Sequence, residues 1–230
     1  MIAIIDTRMP KKAKETLMKR FPTIELPPSP DLDSRVASHP DMLMFSSNGR
    51  LFINENYFNI TKDLFKIKDI DIIRCDGKLS EKYPDDIAFN CFISNGTLFG
   101  NISHTAKEII TFANEQGISK KAVSQGYAKC STVVLGNDRI ITADKSIYKA
   151  YTQNSDRALL VSPKGVSLNG YNCGFIGGAT GVLDKEIFFS GDISLHPDYQ
   201  KIQEFTKKLG YKITSLSNEP LYDVGTILFI

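Results

Sequence analysis

Four cysteines, at positions 75, 91, 130 and 173, are spread through 230 residues with no CxxC pair among them. That spacing suits neither a structural zinc site nor a disulfide framework. The expectation is buried, reduced thiols in a cytoplasmic protein without a bound metal. Charge of one sign is in no excess either: 28 Lys and Arg against 26 Asp and Glu leave a net +2. A nucleic-acid footprint would need a basic stripe, whereas the Lys pairs at 11–12, 120–121 and 207–208 read as solvated charges beside helix ends or turns. Long apolar runs are missing as well. No window approaches the roughly 18 apolar residues of a membrane span. MIAIIDTRMPKK places its basic residues after a run of four apolar ones, the reverse of a secretory signal. Cofactor motifs are also wanting, because GFIGGATG (174–181) fits neither GxGxxG nor the phosphate loop GxxxxGK[ST]. Close approach of backbones accounts better for its four glycines.

What is present is a repeat. Ser47-Asn48-Gly49-Arg50, Ser94-Asn95-Gly96-Thr97, Gly136-Asn137-Asp138-Arg139 and Asp184-Lys185-Glu186 each separate two short apolar runs. Asn-Gly in that setting is the strongest short hairpin signal, since both residues tolerate positive φ. The turns fall at residues 48, 95, 137 and 184, at offsets of 47, 42 and 47. A nearly fixed period in this range marks repeat architecture. After each hairpin come a polar residue (Asn54, Asn101, Asp144, Asp192), a stretch with helical spacing such as Ile202, Phe205 and Leu209, and a further β-rich run. The unit is therefore ββαβ. Residues 2–26 supply a fifth copy lacking its first strand, with Asp6 at the polar position, and DVGTILFI (223–230) is a strand with nothing after it. Pairing the two would close a ring and remove exposed edges. The predicted fold is α/β: one domain over 1–230, a five-fold pseudosymmetric ring of ββαβ units closed by its terminal strands. A hydrophobic content of 42% supports a core of that size. A doubly wound parallel sheet fits less well, because two strands precede nearly every helix.

A ring of five such units resembles the pentein fold of the guanidino-group-modifying enzymes. Those include arginine and agmatine deiminases, amidinotransferases and dimethylarginine-hydrolysing enzymes. More closely, QGYAKCST, GFIGGATGV, FSGDISLHPD and SLSNEPL together resemble an uncharacterised family of this fold, a match that brings no activity with it. The enzymes' chemistry uses a cysteine thiolate on the guanidinium carbon, a histidine for protons and carboxylates to hold the cation. The resemblance would put the cysteine on the last inner strand, which here reads Tyr222-Asp223-Val224-Gly225-Thr226-Ile227, and the histidine near Gln125-Gly126-Tyr127-Ala128-Lys129. Neither stretch has the required residue.

Candidates remain. Aligning STVVLG with GTILFI through Thr132 and Thr226 places Cys130 opposite Val224, the right location in the wrong repeat. Lys129 could lower its pKa, although alternation along a strand would point the two side chains apart. His39 and His196 each open an HPD run, a good helix start with Pro at the first position. His196, close to Asp192 at a strand end, is the better proton-transfer candidate. The set Asp6, Asn54, Asn101, Asp144 and Asp192 suits helix capping before ligand binding. Asn218, Glu219 and Asp223 could grip a cation from a loop, with Tyr127 and Asp144 as further ligand contacts. Two functions follow. One is a protein that binds a small polar ligand, guanidino or amino-acid-like, or a protein partner, at the axial cleft without a cofactor. The alternative is a hydrolase or transferase built on Cys130 and His196.

Overall fold

The computed structural model describes residues 1–66, 70–136, 138–152 and 157–230. Its first elements are strand β1 (Ala3–Asp6), helix α1 (Lys11–Met18) and strand β2 (Thr23–Leu26). Pro10 stands just ahead of α1, where its missing N–H costs nothing. Ala13 and Leu17, one turn apart, form the helix's buried face and join Ala3 and Ile5 in the core. The crossover makes β1 and β2 parallel, with Ile4 opposite Ile24.

A short helix α2 (Pro40–Leu43) leads into the first complete unit: β3 (Met44–Ser47), β4 (Arg50–Asn54), α3 (Glu55–Thr61) and β5 (Asp71–Cys75). The pattern recurs in β6 (Phe92–Ser94), β7 (Thr97–Gly100), α4 (Lys107–Glu115) and β8 (Ser119–Ala122). It recurs again in β9 (Thr132–Leu135), β10 (Arg139–Thr142), α5 (Lys145–Tyr151) and β11 (Ala158–Leu160). A short β12 (Val166–Ser167) precedes the last copy, made of β13 (Thr180–Leu183), β14 (Glu186–Phe189), α6 (Tyr199–Lys208) and β15 (Lys212–Ser215). Each copy pairs its hairpin antiparallel and its third strand parallel to the second. The chain ends in β16 (Leu221–Tyr222) and β17 (Leu228–Phe229), and β17 lies antiparallel to β1. The terminal strands therefore pair as expected. A parallel pairing of β12 with β16 was not anticipated, since two residues each are too few to leave a periodic signal.

Turn chemistry agrees with the sequence. Asn48, Asn95 and Asp184 have φ of 51°, 50° and 52°, and Gly49 and Gly96 follow at 75° and 65°. Asn137 lies outside the described residues. The pseudo-fivefold polar set divides. Asn54 accepts the Tyr57 N–H, Asp144 those of Ser146 and Ile147, and Asp192 that of Ser194 at a 3₁₀ turn, so these three cap helical segments. Asp6 and Asn101 do not, because Pro10 and Ala106 occupy the cap positions of α1 and α4.

The glycine run sits at a crowded crossing of backbones. A Cβ on Gly177 would lie 2.4–2.6 Å from the carbonyl oxygens of Thr132, Lys129 and Cys130, and one on Gly178 would lie 2.0 Å from Asp223 Oδ1. The Gly178 N–H instead donates to Cys130 O, and its carbonyl accepts from the Val224 and Thr226 N–H groups. These contacts pull residues 130, 178 and 223–227 together, which positions the site. Among the described residues no helix is long and apolar enough to cross a membrane.

Candidate functional site

Cys130 does not stand on a strand. It lies in the turn before β9, where its N–H and that of Lys129 both donate to Asn90 Oδ1. The turn breaks the alternation expected from sequence, and the two side chains converge on one polar layer. Cys130 Sγ donates to Asp41 Oδ2 at 2.9 Å, while Lys129 Nζ donates to Thr226 Oγ1 at 2.9 Å. Thr226 in turn donates to Asp41 Oδ2 at 2.9 Å. Its φ of 73° is a left-handed conformation that β-branched residues rarely adopt. Strain of this kind, on the order of 1–3 kcal/mol, persists where surrounding contacts over-determine it.

Burial and charge set the state of the layer. The Cys130 thiol is pushed well up, first by burial and then by the neighbouring Asp41 and Asp223 carboxylates. Burial pulls the Lys129 ammonium down, opposed by Asp41, Cys130 and Asp223. Asp223 is also raised by burial, with His39 opposing. At neutral pH the sulfur is thus a hydrogen-bond donor and not a thiolate. Lys129 does not ionise it.

Cys130 and Asp223 line one cavity of about 130 Å³, together with His39 and an aromatic wall of Tyr127, Tyr171 and Phe175. Asp223 is 1% exposed, with Oδ2 accepting the Phe175 N–H and Oδ1 the Gly225 N–H. Tyr127 is fixed by donating its hydroxyl to Asp86 Oδ2 at 2.6 Å. Tyr171 and Cys173 are exposed and form the mouth. His39 lies between two carboxylates, with Nε2 3.6 Å from Asp6 Oδ2 and Nδ1 3.9 Å from Asp223 Oδ1. Arg8 in turn chelates Asp6. Gly225, at φ 63°, permits this packing, because a Cβ there would fall 2.1 Å from His39 Cβ.

Of the residues proposed from sequence, the cavity gathers Cys130, Tyr127 and Asp223. It does not gather the others. His196 is buried in the turn before α6, where its Nδ1 accepts the Asp198 N–H and burial lowers its pKa. The HPD run there starts a helix, as the HPD run at His39 does. Asp144 caps α5 and accepts from Gln125. Asn218 is exposed, and Glu219 pairs at the surface with Lys12. Sequence reasoning passed over Asp41, Asn90 and the position of His39 in the cavity wall. The only local signal was the HPD run at 39–41, which also reads as a helix start. Among the described residues no group of three or more His, Cys, Asp or Glu is arranged to hold a metal ion.

Comparison with solved structures places this geometry in context. The fold is similar to DDAH from Pseudomonas aeruginosa in complex with citrulline, at 9% identity and a TM-score of 0.57 over 94% of this chain and 92% of that one. It is similar to the N-terminal domain of a cyanobacterial arginine dihydrolase bound to substrate, at 8% identity and 0.56 over 94% and 91%. It is similar to agmatine deiminase from C. jejuni, at 11% identity and 0.56 over 94% and 87%. These likenesses establish the pentein fold of the guanidino-group-modifying enzymes. No curated protein matches the sequence. Residues 4–228 match the model of a family of unknown function, DUF6873, and the chain belongs to that family.

Proposed function

We propose that this protein binds a small cationic molecule of guanidino or amino-acid type in the cavity beneath Tyr171, and that it does not catalyse deimination or amidino transfer. The observation that carries the reading is the pairing of a buried carboxylate, Asp223, with three aromatic rings around an open-mouthed cavity. A buried acid raised by desolvation gains most from a cation delivered to it, and aromatic faces attract the same charge. The similar structures are named for dimethylarginine, arginine and agmatine, all of which carry a guanidinium group.

Attack by Cys130 is disfavoured by its surroundings. A guanidinium carbon needs a thiolate, and here burial and two carboxylates hold the proton on sulfur. The five three-stranded sheets are read as one domain, a closed five-fold ring completed by the β1–β17 pair. A thermal-shift screen over guanidino compounds, amino acids and nucleotides tests the binding reading. Stabilisation by guanidino compounds is expected. No shift with any of them would overturn it and move the weight to a macromolecular partner.

A further inference from the structure

A second cavity, of about 160 Å³, adjoins the polar layer and shares no lining residue with the first. Asp41 lines it, whereas Cys130, which donates to Asp41 Oδ2, lines the other. The S–H···O bond therefore joins a lining residue of one cavity to a lining residue of the other. Much of the second cavity's wall is apolar, with Phe45, Phe89, Phe92, Val134 and Leu228, and its polar lining residues are Asp41, Lys129, Thr226 and Ser46.

Two groups there are incompletely satisfied. Asp41 is 2% exposed, and its Oδ1 has no hydrogen-bond partner although buried acceptors are nearly always paired. Lys129 Nζ has three donor hydrogens and uses one, on Thr226. An unfilled acceptor and an ammonium with donors to spare, at one end of an apolar cavity, match a head that carries one cationic donor and one anionic acceptor. The space, worth about five water volumes at ~30 Å³ each, takes a branched aliphatic or phenyl group.

We infer that this second cavity binds an apolar α-amino acid, its ammonium on Asp41 and its carboxylate on Lys129. Calorimetric titration of the full chain with L-leucine and L-phenylalanine tests this, beside 4-methylpentanoate and isoamylamine, which are leucine without its ammonium and without its carboxylate. Saturable binding of the amino acids is expected, at least tenfold tighter than either truncated probe. Val134→Phe and Ser46→Leu, which fill the cavity from wall and rim, should abolish it. No binding of either amino acid would overturn the inference. So would equal affinity for a truncated probe, or undiminished binding in whichever filled variant retains a cooperative melt. Tyr171→Ala, at a residue that lines only the first cavity, separates the two sites. It should leave leucine binding unchanged while arginine binding at the first cavity weakens tenfold or more, so failure of arginine alone counts only against the first reading.

Discussion

Cys130 illustrates how little a residue type says without its surroundings. Its sulfur donates to Asp41 and accepts from Asn90 Nδ2 at 3.1 Å, so it is a fixed member of a hydrogen-bonded layer. Iodoacetamide labelling at neutral pH, followed by peptide mass spectrometry, should therefore modify exposed Cys173 and leave Cys130 slower than a model thiol. Fast labelling of Cys130 would point to a thiolate. Replacement tests the same bond thermodynamically. Cys130→Ala leaves Asp41 Oδ2 one donor short and should cost about 1–3 kcal/mol in urea unfolding, with Cys130→Ser recovering most of it. Asp223 offers a pH test. Burial favours its protonated form, so a cation that binds the carboxylate must displace a proton at low pH. Guanidino affinity should rise as pH rises through that elevated pKa, and a flat profile would remove Asp223 from the contact.

At the scale of elements, the hairpins and helices were legible because their determinants are local. Asn-Gly turns, spacing such as Ala13 with Leu17, and capping by Asn54 and Asp144 each act within a few residues. Asp144→Ala should accordingly cost about 1 kcal/mol through loss of the α5 cap. Asn101→Ala should cost α4 nothing at its N-terminus, since Ala106 stands at that cap. Comparing urea midpoints of the two variants checks the distinction. Where the sequence misled, the determinant was remote. Nothing near Cys130 announces that it occupies a turn held by Asn90, 40 positions away, or that Thr226 meets Asp41 across 185. His39 and His196 carry the same HPD signal, yet Asp6 and Asp223 surround only the first. Local pattern predicted both helix starts and could not choose between the histidines.

For the whole molecule, the terminal units meet through more than β1 and β17. Arg20, just past α1, binds Glu186 on β14 through two 2.8 Å bonds, and Lys212 adds a 3.0 Å contact. The Arg20 partner first, with Thr214 and Lys212, holds the Glu186 carboxyl at about 2 against an ordinary 4.5. A depressed folded-state pKa contributes stability that is present above about pH 4.5 and lost as pH falls towards about 2. Glu186→Gln should therefore melt below the parent at pH 7 and approach it near pH 2.

The larger question is whether this chain of pentein fold recognises a guanidinium group. Calorimetric titration of arginine and agmatine into the parent protein, Asp223→Asn and Tyr171→Ala answers it most directly. The predicted result is a saturable, single-site heat for at least one ligand, weakened tenfold or more in either variant, with no continuing heat after each injection. Absence of binding to the parent, affinity in both variants equal to the parent's, or a sustained heat flow that marks turnover would contradict it.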